Sequence, residues 1–302
     1  QHAKVAADCL GDIEGLCILP LGHEVTTTLR VIEASHPVPN AGSLEAAEAA
    51  LAIANSLGPD DRMVCLISGG GSALMSAPLP LMDPTLKMQT HSVLLASGAT
   101  ISELNTVRKQ LSLVKGGRLV EACRGNIVNF LVSDVPGDRI EFIASGPTVS
   151  AYTTQQDAVE ILERYKIDLV DELRPWLSDM KNATPLPDAP CFDRVTTTIV
   201  AAPSKSLKAA ESYILSQGID CWMLGDSIEG DSETIARAMA DIALWQRRQR
   251  TLERPLCLVS GGETTVKVTG SGVGGPNAHF ALALVDAFGG ERGISAIVCD
   301  TD

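Results

Sequence analysis

The chain has 302 residues, 45% hydrophobic and 20% charged, and no apolar run approaches the roughly 18 residues of a membrane span, which excludes wholesale disorder and a membrane-spanning helix. Its 24 Lys and Arg against 37 Asp and Glu give a net charge of −13, which with 4% aromatic residues argues against a nucleic-acid partner and for a small-molecule substrate. Eight cysteines, at 9, 17, 65, 123, 191, 221, 257 and 299, show no CxxC or Cys/His spacing of a metal site and read as reduced residues of a cytoplasmic protein. The sequence opens on Gln1-His2-Ala3-Lys4, with neither Met nor an apolar leader, and reads as incomplete at its start.

In chain order, residues 4–10 read as a short helix, 16–19 as a strand and 30–34 as a second strand, followed by the loop His36-Pro37-Val38-Pro39-Asn40. Ser43 is expected to cap a helix running to Leu57, with Leu44, Ala47, Leu51 and Ala54 at helical spacing and Gly58 closing it. Residues 63–67 are a short apolar run, read as a parallel strand buried on both faces. The run stops at Ser68-Gly69-Gly70-Gly71-Ser72, where glycine lets several backbone N–H groups converge on one anion. A tight strand-to-helix turn would need the same glycines.

Two helices are expected next, over 86–97 and 101–115. In the second, Leu104, Val107, Leu111 and Val114 form the buried stripe, with Arg108, Ser112 and Lys115 one residue round, so that two cations share a face until Gly116-Gly117 breaks the helix. An ordinary solvated face is the alternative. Residues 127–132 read as another strand, ending in Ser133-Asp134-Val135-Pro136-Gly137-Asp138. Two carboxylates four residues apart at a strand end suit a metal ligand or general base, while Asp is also a good turn former. The loop Ala144-Ser145-Gly146-Pro147-Thr148 offers a further hydroxyl or N–H, and 157–165 is a helix.

Residues 181–192 carry three prolines without periodicity and read as a linker, dividing the chain into domains 1–190 and 191–302. Beyond it strands (195–201, 220–224, 256–259) alternate with helices (207–217, 232–250), which predicts a second α/β sheet. Residues 225–231 read as an acidic loop, and 260–262 repeat the Ser-Gly-Gly of 68–70. Gly270, Gly272 and Gly275 satisfy GxGxxG, open a helix near Asn277 and precede a strand expected over 294–299 with Asp300 at its end, a pattern that also fits a dinucleotide site. The chain stops at Asp302, as though before a turn.

The runs LISGGGSAL, NTVRKQLSLVKGGRL, LVSDVPGDRIEFIASGPT and CLVSGGETTVKVTGSGVGGPN, with HPVPN and GDSIEGD, closely resemble the class II glycerate kinases, whose carboxyl-terminal module is called MOFRL and would begin here near residue 254. The resemblance spans nearly the whole chain. It implies two non-similar three-layer α/β domains around a cleft, ATP and magnesium as cofactors, and transfer of phosphate to the 2-hydroxyl of D-glycerate. On its motifs, Lys4, Lys115, Asp134 and Asp138 are catalytic candidates, Asp134 also for the metal. Ser68, Gly69, Gly70, Gly71, Ser72, Arg108 and Lys109 are candidates for substrate or phosphate, and Ser145, Gly146, Glu263, Thr264, Gly272, Gly274 and Asn277 for nucleotide. Lys4 matches the family's Gly-Lys-Ala-Ala motif imperfectly, in Ala3-Lys4-Val5-Ala6, and Gly272-Val273-Gly274-Gly275-Pro276-Asn277-Ala278-His279 lacks two arginines and a carboxylate found in relatives. Some relatives carry the label hydroxypyruvate reductase, so a nicotinamide-dependent reductase and a non-catalytic relative stand as alternatives. No membrane or nucleic-acid partner is expected, and a homo-oligomer is compatible with the sequence.

Overall fold

The computed structural model describes residues 8–11, 13–249, 254–267, 270 and 272–300. The chain divides into two compact units, Gln1–Asp134 with Arg139–Val200, and Val135–Asp138 with Ala201–Asp302. Lys4 lies outside the described residues.

In the first unit β1 (Leu16–Pro20) and β2 (Arg30–Ala34) pair in parallel, Leu16 opposite Arg30 and Pro20 opposite Ala34. The Ala41–Ser56 helix follows. Its N-cap is Asn40 rather than Ser43: the Asn40 side chain accepts from the Ser43 N–H while Ser43 Oγ accepts from the Asn40 N–H, a reciprocal box that moves the helix start upstream. A three-stranded sheet runs in the order β3 (Arg62–Ile67), β4 (Asn126–Val132), β5 (Val195–Ala201), with β3 and β4 parallel and in register from Arg62 opposite Asn126 to Ile67 opposite Leu131. That makes β3 an edge strand. It is half-buried, with Leu66 exposed, rather than sealed on both faces as its apolar run suggested.

The Pro84–Ala96, Ile101–Gln110, Gln155–Arg164 and Val170–Leu177 helices share a core of Leu86, Leu94, Leu104, Val107, Leu162 and Leu173. The Ile101 helix ends five residues earlier than its periodicity predicted. Leu111 is its C-cap, and the chain then turns to pair with residues 77–78, the Leu113 N–H donating to the Ala77 carbonyl at 3.2 Å and Ser112 bridging Pro78. Tertiary pairing wins because Leu111 and Val114 are buried by either path. Gly116 and Gly117 adopt φ of 62° and 85°, and a Cβ on Gly117 would lie 2.6 Å from the Phe192 ring. The proline-bearing stretch 181–192 is thus packed into the first unit: buried Thr184 accepts from Gln110 Nε2 at 2.9 Å.

The second unit carries β6 (Asp220–Asp231) parallel to β7 (Leu256–Thr265), with the Pro203–Ser216, Ser232–Gln249 and Pro276–Phe288 helices. Both strands outrun their predicted lengths. The 225–231 segment, expected as an acidic loop, stays paired with 260–265 through two register shifts, the irregularities on either side of positive-φ Gly225. Residues 294–299 form no strand; Val298 instead packs beside Phe280 and Ala287 against Ala283 and Leu284. The eight cysteines are free. Among the described residues no helix is long and apolar enough to cross a membrane.

Candidate functional site

Because β3 and β4 run parallel and in register, the loops that leave their carboxyl ends emerge side by side, the usual place for a ligand in an open parallel sheet. Ser68-Gly69-Gly70 leaves β3 and Ser133-Asp134 leaves β4. The exposed Asp134 carboxylate sits directly against Gly69: a Cβ there would fall 2.1 Å from Asp134 Oδ2. Gly70 takes φ of 78° and caps the four-residue Gly71–Leu74 helix, and a Cβ on Gly71 would lie 2.7 Å from Ala144 Cβ. The consecutive glycines are therefore a consequence of close approach by Asp134, of a left-handed backbone and of the 144–146 loop in turn.

That third neighbour is strained. Ala144, Ser145 and Gly146 have φ of 52°, 61° and 62°, and two non-glycine residues in this region cost of order 1–3 kcal/mol each. The conformation buries the Ser145 hydroxyl 2.6 Å from Ser72 Oγ, where it donates to Asn105 Oδ1 at 3.0 Å. With Ser145's one hydroxyl proton committed to Asn105, the Ser72 hydroxyl donates to Ser145 and accepts from Arg108 Nη1 at 3.0 Å. The loop is held in place by its Gly116 and Gly117 neighbours, whose N–H groups donate to the Ser145 and Gly146 carbonyls at 3.1 and 2.8 Å.

Cations gather around this point. Arg108 reaches Ser72, Asn105 Oδ1 at 3.3 Å and His91 Nε2 at 2.8 Å. Lys115, only 1% exposed, donates to the Ser72 and Met75 carbonyls at 2.8 and 2.7 Å. Lys87 donates to Ser76 Oγ and the Ala77 carbonyl at 3.0 and 2.9 Å. Each partner is neutral; among the described residues no carboxylate pairs with Lys87, Arg108 or Lys115. Burial, then the Arg108 and Arg118 charges, lowers Lys87 to about 7. Burial, then Arg108, Lys87 and Lys115, lowers His91 to about 4, so the ring is neutral at pH 7 and accepts from Arg108. Burial, then Lys87 and Arg108, holds Lys115 well below the ordinary lysine range. The unfolded chain keeps the Lys87 proton up to the ordinary 10.5, whereas the folded protein releases it near 7. Between these values the unfolded state binds the extra proton, so stability rises with pH. The melting temperature of the ligand-free protein should gain from this group as pH goes from 7 to 9, and Lys87→Met should flatten that slope in a melting series.

The structure thus brings together Ser68 to Ser72, Arg108, Lys115, Asp134, Ser145 and Gly146. Ser145 and Gly146, expected at a nucleotide, bond Ser72 and Gly117 respectively. Arg108 and Lys115 meet the same loop although Lys115 is beyond the helix, so the shared helical face inferred from their spacing is not what unites them. Lys109 points elsewhere: it is buried, 5.3 Å from the centroid of the Phe142 ring on which Arg139 stacks at 3.8 Å, and burial lowers it to about 8. Asp138 belongs to the second unit, its Oδ2 accepting from Ser204 Oγ at 2.6 Å while its buried Oδ1 has no partner. Also in that unit, Glu263 and Thr264 lie on β7, with Thr264 Oγ1 accepting from Ser232 at 3.0 Å, and Asn277 donates to Asp300 at 2.7 Å. Among the described residues, an added Cβ on Gly270, Gly272 or Gly275 would meet nothing within 4 Å, and one on Gly274 would stand 3.9 Å from Ala278 Cβ. Lys87, His91 and Asn105 carry much of the geometry and were not singled out by the sequence. Lys87 and His91 stand at i and i+4 of one helix, a pairing visible in principle but identical to a solvated flank.

Profile comparison matches residues 1–178 to a domain family of unknown function, DUF4147, and residues 256–302 to the MOFRL family. An Agrobacterium vitis protein named putative hydroxypyruvate reductase is 44% identical over 296 residues, 96% of this chain and 67% of that protein. The Thermotoga maritima D-glycerate 2-kinase is 32% identical over 309 residues, all of this chain and 72% of that protein, and a Pyrococcus horikoshii glycerate 2-kinase is 38% identical over 94% of this chain and 66% of that protein. The crystal structure of the Thermotoga maritima glycerate kinase superposes with a TM-score of 0.84 at 32% identity, covering 96% of this chain and 70% of the other. The loops that build the site are those of the matched regions, and the chain belongs to the MOFRL-bearing glycerate 2-kinase family, some of whose members carry the name hydroxypyruvate reductase.

Proposed function

We propose that the protein transfers the terminal phosphoryl group of ATP to the 2-hydroxyl of D-glycerate. The observation that carries this reading is the group of cations, Lys87, Arg108 and Lys115, gathered without a carboxylate partner around the Ser68–Ser72 loop and beside the exposed Asp134 carboxylate. Uncompensated cations favour an anion, and phosphoryl transfer asks the protein chiefly for positioning and charge stabilisation. Arg108 uses three of its five N–H donors on Ser72, Asn105 and His91, which leaves two, the number a bidentate carboxylate takes. Lys115 lies beneath the loop and acts on the ligand through the carbonyls it clamps.

In the reaction the glycerate 2-oxygen forms the new bond to the γ-phosphorus as the bond to the bridging oxygen of ADP breaks, and the hydroxyl proton passes to a carboxylate. We assign that role to Asp134, whose exposed carboxylate lies against Gly69. No three His, Cys, Asp or Glu side chains come together as a metal cage among the described residues, but magnesium commonly takes one or two carboxylates plus substrate phosphates, which Asp134 fits. Magnesium bound in that way supplies neutralisation of the phosphate charge. On the family resemblance Lys4 and Asp138 are assigned catalytic roles, and Glu263, Thr264, Gly272, Gly274 and Asn277 are assigned to the nucleotide.

The reductase reading draws on the name carried by the Agrobacterium vitis relative and on GxGxxG. Residues 294–299 form no strand, so the motif does not lead into the βαβ unit that a dinucleotide site needs, which weighs against it. Purified protein with magnesium, ATP and D-glycerate should release ADP above background and should not oxidise reduced nicotinamide with hydroxypyruvate. The opposite pair of results would replace the kinase by the reductase.

A further inference from the structure

Lys87 and His91 lie one turn apart on the Pro84–Ala96 helix: Lys87 bonds residues 76–77, and His91 bonds Arg108, whose other amino group bonds Ser72 and Asn105. We propose that they complete the seat for the substrate carboxylate, His91 as the neutral acceptor that orients the Arg108 guanidinium and Lys87 as the second positive charge. This rests on the kinase reading and names the part of its site that chooses a carboxylate-bearing substrate.

Accessibility supports the division of labour. Lys115, Asn105 and Ser145 are buried and make the floor, whereas Lys87, His91, Arg108 and Ser72 are only half-buried and can be touched by a ligand. Lys87 spends two of its three donors on Ser76 and Ala77 and keeps one. Arg108 would be free to swing without His91, because its other two bonds, to Ser72 and Asn105, both leave from Nη1. His91 fixes Nη2 and hence the plane of the fork, which matters for a planar carboxylate more than for a phosphate. The charged groups acting on Lys87 are Arg108 and Arg118, and Lys87 in turn acts on His91 and Lys115; all are cationic or neutral, so an arriving carboxylate is the counter-charge the group lacks. Seating it should draw a proton onto Lys87 above neutral pH.

Calorimetric titration of D-glycerate into nucleotide-free protein at pH 8, in two buffers of different ionisation enthalpy, tests this without depending on turnover. The expected result is proton uptake on binding in the parent and its loss in Lys87→Met, with affinity weakened about tenfold or more, the scale of a lost charge-assisted bond. In kinetics, Lys87→Met and His91→Phe should raise the KM for D-glycerate by about tenfold with kcat and the ATP KM nearly unchanged, and His91→Gln, which returns an acceptor, should recover most of the loss. Equal effects of Phe and Gln at 91, or binding by Lys87→Met with unchanged affinity and proton uptake, would overturn the proposal. So would a rise in the ATP KM alone or competition by inorganic phosphate as tight as D-glycerate, either of which makes the seat a phosphate site. A parent that binds D-glycerate with proton uptake yet releases no ADP would support the seat while removing the kinase.

Discussion

Turnover with D-glycerate and ATP is expected to fall about 10²-fold or more in Asp134→Asn, the scale of a lost general base. Gly69→Ala is expected to do the same without touching the carboxylate itself. Gly69 is not in the left-handed region, so alanine is tolerated by its backbone; the obstacle is that the new Cβ would fall 2.1 Å from Asp134 Oδ2 and 2.9 Å from Cγ. The carboxylate is the end of an exposed, flexible side chain and can move aside, which saves the fold and loses the position. The double variant should then be hardly worse than either single one, because both remove the same interaction. Melting temperatures should stay near the parent's in all three. Full turnover in Gly69→Ala, or a melting collapse in Asp134→Asn with unchanged turnover per folded molecule, would return Asp134 to the role of a turn former.

Much of this site was legible because its signals are local. An apolar run that ends abruptly in Ser-Gly-Gly-Gly-Ser announces a strand and a tight, donor-rich turn, and Asp134 after β4 announces a carboxylate at a strand end. That the two stand together follows from parallel pairing in register, which a run of apolar residues does not encode. The end of the Ile101–Gln110 helix was hidden for the opposite reason. Leu111 and Val114 continue the helical stripe, yet both are buried by pairing with residues 77–78, so periodicity reported burial correctly and conformation wrongly. The 225–231 segment misled through its composition: glycine and acidic residues suggest a loop, but here they mark register shifts inside a paired strand. Lys87 and His91 were invisible because a cation and an imidazole flanking a buried stripe look the same whether they face water or, as here, residues 76–77 and Arg108. Only tertiary placement separates those cases.

Lys115→Met is expected to separate function from stability. Two opposing terms act on the fold. Removing the ammonium strips the Ser72 and Met75 carbonyls of their donor, at about 1–3 kcal/mol each if they stay buried and unpaired. It also removes a buried amine that has no carboxylate partner among the described residues, and taking such a cation out of water costs several kcal/mol, the same burial that lowers the proton affinity of Lys115. The terms are of similar size, so the melting temperature should shift by only a few degrees in either direction. The Ser72–Met75 segment loses its clamp regardless, and with it the alignment of Ser72, Ser145 and Arg108. Misplacing a positioning group by about 1 Å can cost about 10²-fold, so kcat/KM for D-glycerate should fall on that scale in Lys115→Met. Lys115→Arg should not rescue it, because a larger, planar cation has no room at a site 1% exposed. Parallel measurement of melting and of turnover per folded molecule decides the matter. A large melting loss with kcat/KM preserved would make Lys115 a structural cross-brace and leave Arg108 with Lys87 as the cations that serve the substrate.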